Sequence, residues 1–180
     1  AKIVSANIPH KTEAGGVRLS LQTQDEVRAA AAAILASARR YAPTATIDGL
    51  SIQQMLPPGI ELVVGIKQDQ QFGPLIAVGL GGVTVELLRD TAVRLAPVSP
   101  EGAQAMLRSL RMFPLLDGYR GGAKADLQQL GETISRLSEM AADLRDVIAE
   151  VDVNPLIARG DGAVAADALI VRRSGADGKV

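Results

Sequence analysis

The sequence predicts an α+β fold, and three observations predict it: a capped, alanine-rich helix early in the chain, short β-rich runs divided by Pro and Gly in the middle, and a strand-turn-strand signal near the end. Their order shows no strict βαβ alternation, which sets a parallel α/β sheet aside.

Ala1-Lys2-Ile3-Val4-Ser5 reads as a strand already under way, with no cap or turn ahead of it. The polar, glycine-terminated stretch Pro9-His10-Lys11-Thr12-Glu13-Ala14-Gly15-Gly16 reads as a mobile loop. Gly16 to Leu21 reads as a second strand, with Val17 and Leu19 alternating against Arg18 and Ser20. Thr23 with Glu26 three positions later makes a capping box, and the alanine-rich run behind it sustains a helix to Ala42, where Pro43 stops it. From Ile47 the texture changes to strands over Leu50–Leu56, Ile60–Lys67, Pro74–Leu80 and Ala92–Ala96, for which antiparallel pairing is the simplest arrangement. Ser99-Pro100-Glu101 opens a helix running to about Arg111, since Pro is favoured at the first helical position. Phe113 to Gly122 reads as a loop, and Asp126 with Gln129 caps a further helix whose buried stripe is Leu130, Ile134, Leu137 and Ala141. Two strands, Val147–Ala158 and Ala163–Arg172, close around the hairpin signal Arg159-Gly160-Asp161-Gly162, leaving 173–180 as a flexible tail.

Composition narrows the function classes. With 19 basic and 20 acidic residues and no long single-sign run, the chain lacks the electrostatic footprint of a nucleic-acid or anionic-membrane binder. Two Phe, two Tyr and no Trp make base stacking an improbable mode of recognition. The absence of cysteine excludes disulfides, thiolate metal sites and a cysteine nucleophile, and makes the cytoplasm the default compartment. No apolar run approaches the ~20 residues of a membrane span.

Two constellations carry chemistry. His10 is the only histidine, and a loop imidazole can serve as nucleophile, proton carrier or metal ligand near neutral pH, or simply be solvated. In the last hairpin, Glu150, Asp152 and Asn154 alternate with Val151 and Val153, so the strand period sends three oxygen-bearing side chains to one face. A turn at Asp161-Gly162 would set Asp167 diagonal to Asn154; a turn at Gly160-Asp161 would set it directly opposite. Either way these oxygens suit a hard cation such as Mg²⁺, although a plain solvated strand face shows the same alternation. Weaker signals are Gly79-Leu80-Gly81-Gly82, whose backbone N–H groups could approach a phosphate, Glu61 at the head of a β run, and Lys2 in an apolar strand.

Taken in order, Lys2-Ile3-Val4-Ser5, His10-Lys11-Thr12-Glu13-Ala14-Gly15-Gly16-Val17, Gly59-Ile60-Glu61-Leu62, Phe72-Gly73-Pro74, Gly79-Leu80-Gly81-Gly82-Val83, Leu115-Leu116-Asp117-Gly118-Tyr119-Arg120-Gly121 and Asp152-Val153-Asn154-Pro155-Leu156 closely resemble the ATP-grasp domain of NDP-forming acyl-CoA synthetases. This is the acetate–CoA ligase group, akin to the β subunit of succinyl-CoA synthetase. The resemblance implies an ATP-grasp fold of two α+β lobes that clasp ATP or ADP and Mg²⁺, incomplete at its N-terminal side. It implies the reversible conversion of acyl-CoA, ADP and phosphate to carboxylic acid, CoA and ATP, with His10 as a phosphohistidine relay. It places Asn154 and Asp167 at the Mg²⁺ positions with Asp152 close by, and Lys2 at the nucleotide phosphates. Gln54 and Met55 fall near the adenine-binding hinge, and Glu61, Gly81 and Gly82 join the nucleotide-binding set.

The implied organisation is residues 1–45 in an N-terminal lobe with the His10 loop, 46–172 in the remaining lobe with the terminal metal-binding hairpin, and 173–180 as tail. A CoA-binding α subunit, or CoA-binding and ligase domains fused to this one, is the implied partner; homo-oligomerisation stays open. The alternative expectation is a non-catalytic regulatory module fused to a protein acetyltransferase.

Overall fold

A computed structural model describes residues 1–82 and 89–173, and the chain divides into two compact units, Ala1–Pro57 and Pro58–Val180. The expected tail beyond Arg173 lies outside the described residues.

In the first unit, β1 (Lys2–Val4) pairs antiparallel with β2 (Gly49–Ser51), Lys2 opposite Ser51 and Ile3 opposite Leu50. Helix α1 (Gln24–Tyr41) begins as its sequence dictates: Thr23 accepts the Glu26 N–H, and the Glu26 carboxylate accepts the Thr23 N–H. Those two bonds satisfy donors that the first helical turn would otherwise leave unpaired. The helix buries Ala30, Ile34 and Ala38, and its Ile34 and Ala38 pack with Ile3, Ile8 and Ala14. The strand expected over Gly16–Leu21 reduces to a single bridge from Val17 to Lys2. Ser20 turns to φ +56° and Leu19 stays 67% exposed, so the alternation has no apolar face to bury. Leu50–Leu56 likewise contributes only its first two residues, to β2; the chain from Ile52 to Gly59 is irregular, and Pro57-Pro58 cannot donate to a ladder.

The second unit is built on β3 (Ile60–Asp69), β4 (Gly73–Leu80), β5 (Thr91–Leu95), β6 (Ile148–Arg159), β7 (Gly162–Ala165) and β8 (Ala168–Arg172). All pairings are antiparallel in the order β5-β4-β3-β6-β7, with β8 also lying on β6. Helices α2 (Pro100–Ser109) and α4 (Leu127–Asp143) supply Met106, Leu107, Leu130 and Ile134 to a core shared with Leu62, Val64, Ile66, Ile76 and Val78. Asp126 caps α4 by accepting from Gln128 and Gln129, but its own N–H goes to the Arg159 carbonyl at 2.8 Å, so the cap also ties the helix to β6. The stretch expected to be a loop after α2 holds a short helix α3 (Phe113–Leu116) and a 3₁₀ turn at Tyr119–Gly121. Leu116 is fully buried there, which is what a four-residue helix needs to persist.

Because Leu62 sits at 0% exposure in the middle of this core, Leu62→Ala is expected to cost about 2–5 kcal/mol in urea unfolding followed by far-UV circular dichroism. A loss under about 1 kcal/mol would mean that the sheet face is not packed as described.

Candidate functional site

The helices cover one face of the second unit's sheet and leave the other outward. On β3, burial of Leu62, Val64 and Ile66 turns Glu61, Val63, Gly65 and Lys67 to the outward face. On β6, Val151 and Val153 are buried, so Glu150, Asp152 and Asn154 take the outward face, with Asp152 opposite Gly65 and Glu150 opposite Lys67. A register shift follows: Val153 pairs with Val64 and Leu156 with Leu62, so Asn154 and Pro155 together oppose Val63. This bulge changes the phase of β6, burying Leu156 and Ala158, and releases Asn154 from β3. The Asn154 N–H donates instead to the Asp167 carbonyl at 3.1 Å.

The hairpin turn is Gly160-Asp161, with Arg159 opposite Gly162 and Leu156 opposite Ala165. That register runs on through Ala166, whose N–H reaches the Pro155 carbonyl at 2.9 Å, to Val153 opposite Ala168. Asp167 therefore stands directly opposite Asn154, the second of the two registers the sequence allowed. The expected single strand Ala163–Arg172 is broken at Ala166-Asp167 into β7 and β8.

Asp152 is half-buried, and that burial, with the neighbouring Glu150 charge, raises its pKa above the ordinary carboxylate value. A raised folded-state pKa means a stabilising contribution present below the unfolded Asp value and lost as pH rises through the folded one. Asp152→Asn is thus expected to be more stable than the parent at neutral pH, by less than about 1 kcal/mol because solvent still reaches the group and screens its charge. The gap should close on acidification toward pH ~4. Thermal melts across that range check it, and a variant less stable at neutral pH would contradict the sign.

The glycine turn leads off the same face. The Gly81 N–H donates to the Glu61 carbonyl at 2.6 Å, and a Cβ on Gly81 would come within 3.0 Å of the Glu61 Cβ. Gly82 adopts φ +73°, with Glu61 Oε2 3.7 Å from where its Cβ would stand. Glu61, Gly81 and Gly82 are thereby brought together, one strand level from Asn154. Sequence reasoning missed Gly65, at whose Cβ position nothing among the described residues lies within 4 Å, so those residues leave the face opposite Asp152 open. Its signal was a lone glycine inside an apolar strand run.

Lys2, His10, Gln54 and Met55 belong to the first unit. His10 is exposed at the start of an anchored turn: its carbonyl accepts the Ala14 N–H at 3.2 Å, and the Gly16 N–H reaches the Lys11 carbonyl at 2.8 Å. Ile8 and Ala14 are buried on either side. The two glycines also meet backbone and packing demands. Gly15 takes φ +64°, and a Cβ on Gly16 would fall 2.6 Å from Ile3 Cγ2. Lys2 lies on β1 opposite Ser51, while Gln54 and Met55 are exposed on the irregular stretch after β2.

A sequence-family model described as an ATP-grasp domain matches residues 1–171. The chain belongs to the ATP-grasp family. The β subunit of the ADP-forming acetate–CoA ligase I of Pyrococcus furiosus is 41% identical over 170 residues, covering 94% of this chain and 73% of that subunit. The ATP-grasp architecture is likewise shared with the dinucleotide forming acetyl-coenzyme A synthetase 1 of Ca. Korarchaeum cryptofilum in complex with coenzyme A, Ca-AMPCP and HgCl+. That match has a TM-score of 0.91 and 40% identity over 96% of this chain and 75% of that one. A second structure of the same synthetase, with coenzyme A and Mg-AMPPCP, has its phosphohistidine segment pointing towards the nucleotide binding site. It aligns with a TM-score of 0.82 and 36% identity over 96% of this chain and 75% of that one.

The donor set of this ATP-grasp chain fits a hard cation. Asn154 and Asp167 present an amide and a carboxylate from opposed strand positions, and a cation would relieve the unfavourable charge on Asp152. Among the described residues no three acidic or histidine side chains converge, so further ligands would come from water or phosphate oxygens. Nor, among those residues, is any helix long and apolar enough to cross a membrane.

Proposed function

We propose that this chain is the nucleotide-binding, phosphoryl-transferring part of an ADP-forming acyl-CoA synthetase, converting acyl-CoA, ADP and phosphate to carboxylic acid, CoA and ATP. The observation that carries the proposal is the outward oxygen face, where Asn154 and Asp167 stand opposed with Asp152 beside them and the Glu61-flanked glycine turn one level away. Its partner is a CoA-binding subunit or fused domain, as the β-subunit relative and the coenzyme A-bound structures suggest.

In this reading Asp152, Asn154 and Asp167 hold Mg²⁺, which supplies charge neutralisation at the terminal phosphate oxygens. The Gly82 backbone N–H orients those phosphates, on a turn that the Gly81 N–H ties to the Glu61 carbonyl; in the first unit Lys2 is the residue proposed for phosphate, and Gln54 and Met55 for the base. In the direction of ATP formation, His10 would take the phosphoryl group on a ring nitrogen as its bond to a phosphohistidine of the CoA-binding part breaks, then pass it to a terminal phosphate oxygen of ADP as the new N–P bond breaks in turn, returning to neutral imidazole and dividing one transfer into two. Its exposed position on a turn fixed by backbone hydrogen bonds presents the ring to an incoming donor. The complete enzyme, with its CoA-binding part, is expected to consume ATP and CoA only when a carboxylic acid is supplied. Nucleotide binding without acid-dependent turnover would favour a regulatory module and overturn the proposal.

A further inference from the structure

The end of β4 that leads into the glycine turn is flanked on both sides, and one of the flanking residues has no place in the chemistry described above. On the β3 side the grip is the Gly81 N–H on the Glu61 carbonyl. On the β5 side it is Asp90. Its carboxylate spans two backbone donors, Oδ1 accepting the Arg111 N–H at 3.0 Å and Oδ2 the Met112 N–H at 2.9 Å. These donors lie at the corner between α2 and α3, where neither helix can satisfy them.

The backbone of Asp90 meets β4 closely. A Cβ on Gly79 would stand 2.9 Å from the Asp90 carbonyl oxygen, and Gly79 pairs with Thr91, so Asp90 lies along the edge of β4 at its last residues before Gly81. Arg89, just ahead of it, is a non-glycine residue at φ +47°. Such a backbone persists only where its surroundings impose it. The two-oxygen clasp at Asp90 is such an imposition.

We infer that Asp90 is a positioning residue for nucleotide binding: by clasping the α2–α3 corner while its backbone presses on Gly79, it sets where β4 delivers Gly81 and Gly82. It touches no ligand, and the inference rests on the nucleotide role proposed for that turn. An amide in place of the carboxylate keeps one acceptor but turns an NH₂ group toward a backbone N–H, so one of the two bonds is lost.

The test uses the complete enzyme, with nucleotide binding to the parent measured first by titration with ADP and Mg²⁺. Asp90→Asn is then expected to raise KM for nucleotide about tenfold while KM for CoA and for the acid stays within about twofold. Asp90→Glu, which retains both acceptors, is expected to restore most of the loss. Gly79→Ala, displacing the same backbone from the other side, should show the same nucleotide-selective rise. A nucleotide KM that stays put while Tm falls would make Asp90 a plain structural tie and overturn the inference, as would an equal rise in all three KM values. Should Asp90→Asn not fold, Gly79→Ala carries the same two outcomes. A parent that binds no nucleotide sinks the underlying reading of the glycine turn; a parent that binds normally beside an unaffected variant sinks only the role of Asp90.

Discussion

Replacing His10 with alanine is expected to abolish acid-labile, base-stable phosphorylation of this chain when the complete enzyme is incubated with γ-labelled ATP and Mg²⁺. Turnover should fall by at least about 10³-fold, the scale on which enzymes lose rate when a covalent nucleophile is removed. The chain has no second histidine and no cysteine to take over. The Tm should barely move, because the ring is exposed and the turn is held by the His10 carbonyl and the Lys11 carbonyl, both of which alanine at position 10 leaves intact. A His10→Ala enzyme labelled as strongly as its parent would end the relay.

The second large effect is expected at Asp167. Asp167→Ala removes a carboxylate from the pair formed by Asn154 on β6 and Asp167 between β7 and β8, while the backbone bond from Asn154 to the Asp167 carbonyl survives. Loss of a direct ligand should exceed the 10–100-fold typical of outer-shell changes, so kcat/KM at fixed Mg²⁺ is expected to drop by at least about 100-fold. Raising Mg²⁺ should recover part of it, a response that a folding defect would not give. Unchanged Mg²⁺ dependence would remove Asp167 from the metal site.

What could be read from the sequence is what short-range chemistry decides. Helix α1 is fixed by Thr23 and Glu26 three positions apart, α2 by Ser99 and Pro100, and the outward set Glu150, Asp152 and Asn154 by the two-residue strand period. Asn154 opposite Asp167 was legible as one of two registers, since a hairpin turn fixes pairing once its two central residues are known.

The rest depended on partners far along the chain. Val17 and Leu19 alternate like a strand, yet only Val17 found a bridge, because among the described residues no strand runs beside the remainder. The bulge at Asn154-Pro155 exists only through pairing with β3. Gly15 and Gly16 also serve a left-handed turn and a close approach to Ile3, a demand that no local pattern reveals. Asp90 gave no signal, since its two donors lie more than 20 positions downstream.

One consequence of the sheet order concerns synthesis. The β3–β4 ribbon forms from adjacent sequence, but the other edge of β3 must wait for β6, from Ile60 to its partner Ala158. As the nascent chain leaves the ribosome, that edge stays unpaired until almost all of the second unit has emerged, a long-range closure of the slow kind. Because β6 also carries Asp152 and Asn154, the proposed cation site would be assembled in the same late step that shields the exposed edge, so that chains stalled before residue 148 would keep that edge open and be prone to clump.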